Sequence, residues 1–323
     1  MESKSKHRFY INEVAPRDGF QIEANFIPTE AKIKLIDSLS RTGLAMIEAT
    51  SFTSPKAIPN LRDAEEVMMG IERVPGVFYT ALVPNVKGCE RAIACKVDEV
   101  NLVMSASETH NRANLRMSCE QSLAQFAEIV KLAQGAPVAI NASLSTTFGC
   151  PFEGWIAPER IFHLVRRLLD LGIPGVTLCD TTGMANPAQV RALCEGVRAR
   201  YPAVKFTMHF HNTRGMGLAN VVAAAEAGMR RFDSSLGGLG GCPYAPGASG
   251  NVCTEDMAHM LGQMGYETGV NLDALLEVAR DLPALVGHEV PGQLIKAGKS
   301  ERKYAKPEWL ESGDRQVTLA GPK

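Results

Sequence analysis

The chain has 323 residues, 45% of them hydrophobic and 21% charged, with a formal net charge of −1. That balance fits a soluble globular protein and leaves no basic footprint for nucleic acid or for an anionic membrane surface. No run approaches the roughly 18–20 uninterrupted apolar residues of a membrane span, so no membrane partner is expected. The polar start MESKSKHRFYINEV lacks the apolar core of a secretory signal, which makes the cytoplasm the expected location. Eight cysteines lie singly with no CxxC pair, which argues for buried free thiols rather than a disulfide scaffold or structural zinc.

Short β-rich runs alternate with amphipathic helical segments along the chain. The strands are expected at Tyr10–Val14, Ala45–Thr50, Val77–Val83, Val97–Met104, Val138–Ser143, Gly175–Cys179, Val204–His211 and Arg231–Ser235. Helical patterns fall at Glu30–Thr42, Cys119–Ala133, Pro158–Leu171, Pro187–Arg200 and Gly217–Ala227. In the first of these, Thr29 is placed to cap the start, Ile33, Leu35, Ile36 and Leu39 form the apolar stripe, and Gly43 follows the end. Eight strands, most of them followed by a helix, over about 250 residues match an α/β TIM (β/α)8 barrel. A doubly wound open sheet is the alternative, but the first strand runs into APRDGFQ rather than G-x-G-x-x-G. Past Asn251 the runs TEDMAHMLGQMG and LDALLEVARDL read as additional C-terminal helices packed against the barrel. Residues 1–298 therefore read as one catalytic domain, and 299–323, charged and aperiodic, as a flexible tail.

Catalytic groups of such barrels sit at the C-terminal ends of the strands. Here that rim carries Arg17, Asp18 and Gln21 after the first strand, and Glu48 and Ser51 at the second. Glu108 and His110 follow the fourth strand, Asp180 ends the sixth, and His209 and His211 end the seventh. Strand alternation turns both histidines of VKFTMHFHN to one face, about 7 Å apart along the strand. Two imidazoles, the Asp18 carboxylate and an amide oxygen suit Mg²⁺, Mn²⁺, Co²⁺ or Zn²⁺. Arg17 is either the ion-pair partner of Asp18 or a clamp on a developing oxyanion. Glu48 and Asp180 are buried hydrogen-bonding groups or carboxylates that orient metal-bound histidines or water. The glycine-rich stretch SSLGGLGGCPYAPGASGN, Ser234–Asn251, lacks the Lys-Ser/Thr ending of a phosphate loop and reads as a lid with Cys242 at its tip.

The motifs EVAPRDGFQ, IEATSFTSPKAIPNLRDAEEV, HFHNTRGMGLAN and GGCPYAPGASGN together resemble the 3-hydroxy-3-methylglutaryl-CoA lyase family, in order from about Tyr10 to Asp273. That family belongs to a metallolyase superfamily with isopropylmalate and homocitrate synthases. The resemblance implies a divalent cation, Mg²⁺ or Mn²⁺, on Asp18, His209, His211 and Asn251. It implies an acyl-CoA substrate, a retro-Claisen cleavage and a homodimer. Arg17 falls at the position that stabilises the thioester enolate, and Cys242 at that of the lid cysteine thought to shuttle a proton. Glu48 and Asp180 match acidic residues needed for activity, and Gln21 lies near the cation. His209 is the first choice for assisting removal of the substrate's hydroxyl proton, and Lys56 of SPKAIPN for holding an anionic substrate.

Some positions depart from the family pattern. Asn212 and Arg214 replace an aspartate and a tyrosine after the histidines, which lowers the negative charge expected beside the cation. Ala15, Phe20 and Ile22 replace a glycine, a leucine and an asparagine, and the last two imply a bulkier or more apolar acyl group, such as citramalyl-CoA or a longer 3-hydroxy-3-alkylglutaryl-CoA. A condensing synthase of the same superfamily is disfavoured by the lyase-like loop and by the lack of a long C-terminal accessory region. A non-catalytic binding barrel is disfavoured because it needs no such set of residues.

Overall fold

The computed structural model describes residues 8–241 and 250–307. Among the described residues there are ten strands: β1 (Tyr10–Glu13), β2 (Met46–Ser51), β3 (Phe78–Leu82), β4 (Glu99–Ser105), β5 (Ala139–Ser145), β6 (Gly149–Cys150), β7 (Gly154–Trp155), β8 (Gly175–Asp180), β9 (Lys205–Phe210) and β10 (Arg231–Ser234). β6 and β7 form a small antiparallel hairpin. The other eight pair in parallel and close on themselves in the order β1-β10-β9-β8-β5-β4-β3-β2. All eight expected strands are there, and the pairing of β1 with both β2 and β10 removes the open-sheet alternative.

The five expected helices are found at Thr29–Ser40, Cys119–Ala133, Pro158–Asp170, Pro187–Arg200 and Gly217–Glu226. Shorter helices at Ala64–Gly70, Val86–Ala94 and Glu108–Leu115 add to them, the second capped by the Asn85 side chain on Gly88 N. Thr29 does not cap its helix. It is the first helical residue, and its hydroxyl donates to Asp63 Oδ2 at 2.8 Å, tying the helix to the chain after β2. The C-terminal helices begin at Thr254–Gln263 and Leu272–Arg280, and Leu261, Leu275 and Leu282 join the barrel's own hydrophobic core. The seven cysteines among the described residues are buried free thiols. No helix among these residues is long and apolar enough to cross a membrane.

The apolar core forms a sheath between sheet and helices, because alternation sends Ile11, Ile47, Tyr79, Leu102, Leu178, Met208 and Phe232 outward. The lumen is filled differently. Each strand sends one polar side chain into its middle layer: Asn12, Glu48, Thr80, Asn101, Asn141, Thr177, Thr207 and Asp233. Such layers are ordinarily dominated by Val, Ile and Leu. Here they line a cavity of about 660 Å³ that opens at the N-terminal mouth.

Gly43 marks where the first helix meets the C-terminal segment. Its φ of +85° is left-handed, and a Cβ there would lie 2.1 Å from Gly269 O. Both the conformation and the close approach require glycine. Gly43→Ala is expected to lower unfolding free energy by about 1–3 kcal/mol in urea titration, and an unchanged midpoint would contradict this packing.

Candidate active site and metal centre

A single π-helical turn, Ala15–Gly19, with Pro16 in its opening residues, follows β1. The amides of Asp18 and Gly19 both point back to Val14 O, at 2.7 and 3.4 Å, which throws Arg17 and Asp18 over the C-terminal mouth. Such turns are frequent at functional sites. A fully buried carboxyl group, Glu13, holds the turn in place. It accepts Ala15 N and Leu236 N at 2.8 Å each and the Thr254 hydroxyl at 2.7 Å, so one side chain fixes both the Asp18 turn and the stem of the glycine-rich loop. Glu255, also buried, accepts Gly237 N at 3.1 Å.

At the loop's base the backbone doubles back on itself. A Cβ on Gly250 would lie 2.1 Å from Gly240 O, and Asn212 N donates to Gly250 O at 2.8 Å. Asn251 then pairs with His211 as an antiparallel bridge. This stitching, rather than sequence proximity, brings Asn251 to the histidines. Cys242, the expected lid thiol, lies outside the described residues.

Asp18, His209 and His211 each offer one ligand atom, and these atoms all lie within 4.8 Å of one another. The two rings are 5.3 Å apart between centroids. Asp18 Oδ2 accepts Asn251 Nδ2 at 2.7 Å, and Asp18 Oδ1 accepts Arg17 Nη1 and, at 3.2 Å, Gln21 Nε2. His209 Nδ1 lies 3.2 Å from Asp233 Oδ2, which aims the opposite ring nitrogen into the mouth. His211 Nδ1 and Asn251 Oδ1 are buried and have no hydrogen-bond partner among the described residues. Buried polar atoms are rarely left unpaired, so two such atoms beside a carboxylate and an imidazole fit the donor set of a divalent cation. Burial alone would raise the Asp18 carboxyl, but Arg17, both histidines and Asn251 hold it well below the usual range. Burial and then the neighbouring His209 bring His211 down to about 4, leaving it neutral as a ligand must be.

Arg17 is buried between two carboxylates, with Nε on Glu48 and Nη1 on Asp18. Asp180, also buried, accepts Met184 N at 2.8 Å and Ala185 N at 3.0 Å through Oδ1, while Oδ2 has no partner among the described residues. Burial pushes its carboxyl up to about 6, against those amides and nearby His209. The carboxylate that orients a histidine is thus Asp233, the register partner of His209 on β10, rather than Glu48 or Asp180. An inward acidic residue on the last strand was its only sequence signal, because register sets the pairing.

The remaining candidates lie outside this cluster. Ser51 is buried and bonds Thr53 Oγ1 at 2.8 Å, and Lys56 is exposed in a turn after β2. Glu108 accepts Cys119 N at 2.9 Å, and His110 Nδ1 meets Ser105 Oγ at 2.7 Å. Asn212 turns away from the histidine face, and its Oδ1 accepts Gly217 N at 3.0 Å at the start of a helix. Arg214 Nη1 donates to Thr182 O at 2.8 Å and Gly183 O at 2.9 Å, clamping the loop after Asp180. These two departures act on loop anchoring rather than directly on the ligand set. Phe20 belongs to the hydrophobic core, so the apolar surface expected from it is absent; Ile22 remains, half exposed beside Gly241.

The HMGL-like family model matches residues 8–282. A hydroxymethylglutaryl-CoA lyase of Bacillus subtilis is 49% identical over 290 residues, 90% of this chain and 97% of its own length. The human mitochondrial hydroxymethylglutaryl-CoA lyase is 41% identical over 290 residues, 90% of this chain and 89% of that one. Among solved structures, an HMG-CoA lyase from Acinetobacter baumannii in complex with coenzyme A and 3-methylmalate superposes with a TM-score of 0.91 at 53% identity. That match covers 95% of this chain and 100% of the other.

Two outcomes follow from the hydrogen bonds at this site. Asp233→Ala frees the His209 ring, and Mn²⁺ affinity by isothermal titration is expected to fall about 10–100-fold; equal affinity would deny Asp233 that role. Burial raises the Glu13 carboxyl from 4.5 to about 8. Between those values the unfolded chain releases a proton that the folded chain keeps, so this contribution to stability is complete below 4.5 and lost as pH rises through 8. Glu13→Gln has no such proton. Its denaturation midpoint should gain on that of the unsubstituted chain from pH 5 to pH 8, and a constant difference counts against a protonated Glu13.

Proposed function

The chain belongs to the HMGL-like family, and on that premise we propose that it is a carbon–carbon lyase cleaving (S)-3-hydroxy-3-methylglutaryl-CoA into acetyl-CoA and acetoacetate. The observation that carries the reading is the convergence of Asp18, His209 and His211, within 4.8 Å, beside a buried arginine. Asp18, His209, His211 and the Asn251 amide oxygen would hold the divalent cation, Mg²⁺ or Mn²⁺. When bound, that ion supplies Lewis acidity toward the substrate's hydroxyl and carboxylate oxygens.

The protein groups divide the remaining work. His209 Nδ1 is engaged by Asp233, so its other nitrogen is its single remaining donor atom, and we give it to the cation. Asp180 then takes the hydroxyl proton. Its Oδ2 has no partner among the described residues, and a carboxyl at about 6 is close to the working pH of a general base. As the C–C bond breaks, the carbinol carbon becomes the ketone of acetoacetate and the electron pair moves into the thioester enolate. Arg17 meets the enolate oxygen with Nη2, because Nε and Nη1 are already held by Glu48 and Asp18. A proton from the Cys242 thiol completes the methyl group of acetyl-CoA, and the proton on Asp180 restores the thiol. Ile22, beside the loop stem, is the position that would favour a larger 3-alkyl group.

The test is a thioester panel of 3-hydroxy-3-methylglutaryl-CoA, citramalyl-CoA and longer 3-alkyl homologues, followed by mass for acetyl-CoA. Release from none of them ends the lyase reading. Arg17→Gln should lower kcat about 10³-fold with protein still folded, as for loss of an oxyanion donor. Asp18→Ala should abolish the rise in melting temperature that Mn²⁺ gives the unsubstituted chain; an undiminished rise places the cation elsewhere.

A further inference from the structure

We infer that Asn101, deep in the barrel lumen, is a positioning residue that sets the Arg17 guanidinium through Glu48. This rests on the lyase reading only for its kinetic arm.

Glu48 Oε2 faces Arg17 Nε, and Glu48 Oε1 accepts Asn101 Nδ2 at 2.9 Å. Each carboxylate oxygen therefore has its own donor, and the carboxylate plane is fixed. An ionised carboxylate only accepts, so the NH₂ end of Asn101 faces Glu48, and Asn101 Oδ1 is left to accept Asn141 Nδ2 and Ser143 Oγ, each at 2.9 Å. Asn141 is itself held, because its Nδ2 also donates to Thr177 Oγ1 at 2.9 Å. Beside it, Gly175 leaves no Cβ; one would lie 2.8 Å from Asn141 Oδ1. A directional ladder thus runs from β8 through β5 and β4 to Glu48 on β2 and ends on the arginine that would meet the enolate.

The lumen gives the ladder its leverage. Glu48 and Arg17 are buried, so losing the Asn101 donor leaves Glu48 Oε1 without its protein partner. The carboxylate then turns to find another donor, and the guanidinium turns with it. The alternative, that Asn101 only fills space among other polar groups, makes different predictions.

Asn101→Ala is expected to lower kcat about 10–100-fold with KM and Mn²⁺ affinity unchanged, a pattern of lost transition-state stabilisation. In a Glu48→Gln background the same substitution should change kcat less than about twofold, since coupled residues are not additive. Equal losses in both backgrounds, or no loss in the first, overturn the inference. A crystal structure of Asn101→Ala supplies the arm that needs no turnover. Arg17 displaced from Glu48 supports the ladder, and Arg17 in its original place refutes it, whether or not any thioester is cleaved. Absence of cleavage by the unsubstituted protein sinks the lyase reading alone.

Discussion

The arrangement depends on buried charge having to be neutralised inside the barrel. Asp18, Glu48 and Asp233 put three carboxylates around one guanidinium, with His209 between two of them. Charges removed from water are tolerated when paired and hydrogen-bonded. Arg17 meets two of the three and His209 meets the third, which leaves a negative surplus at the point where two imidazoles converge. A dication is the natural complement to that surplus. Arg17 and the two histidines hold Asp18 ionised, and burial with the neighbouring His209 holds His211 neutral, the states in which each donates a lone pair.

The barrel makes this arrangement affordable by separating two kinds of packing. Outward-facing side chains build the apolar sheath under the helices, and inward-facing ones build a hydrogen-bonded lumen. Stability comes mainly from the sheath, where burial of apolar surface is the driving term. The lumen is therefore free to carry Asn, Thr, Ser and Glu, which orient charged groups at the mouth. Glu13 shows the same economy at the rim: three donors converge on it from the Asp18 turn, the loop stem and the return of the chain.

The departures from the family pattern find a place in this scheme. Arg214 and Asn212 anchor the loops after β8 and β9, and Arg214 also exerts a weak downward pull on Asp180. They bear on how firmly the proposed base is held. Ile22 alone adds apolar surface beside the glycine-rich stem.

The alternating strand pattern and the helical stripes determined the barrel, because periods of two and of 3.6 residues leave marks in a single sequence. The HFH run also determined that two imidazoles share a face, since i and i+2 on a strand always do. Boundaries such as Thr29 failed where a tertiary partner, Asp63, claimed the side chain. The roles of Asp233 and Asn251 were decided only in three dimensions. The first depends on β9–β10 register, and the second on a glycine-rich stem that folds back on itself. Likewise, Phe20 and Asn212 sit two residues and one residue from the cluster in sequence yet face away from it, because a π-turn and a strand's alternation aim neighbouring side chains in different directions.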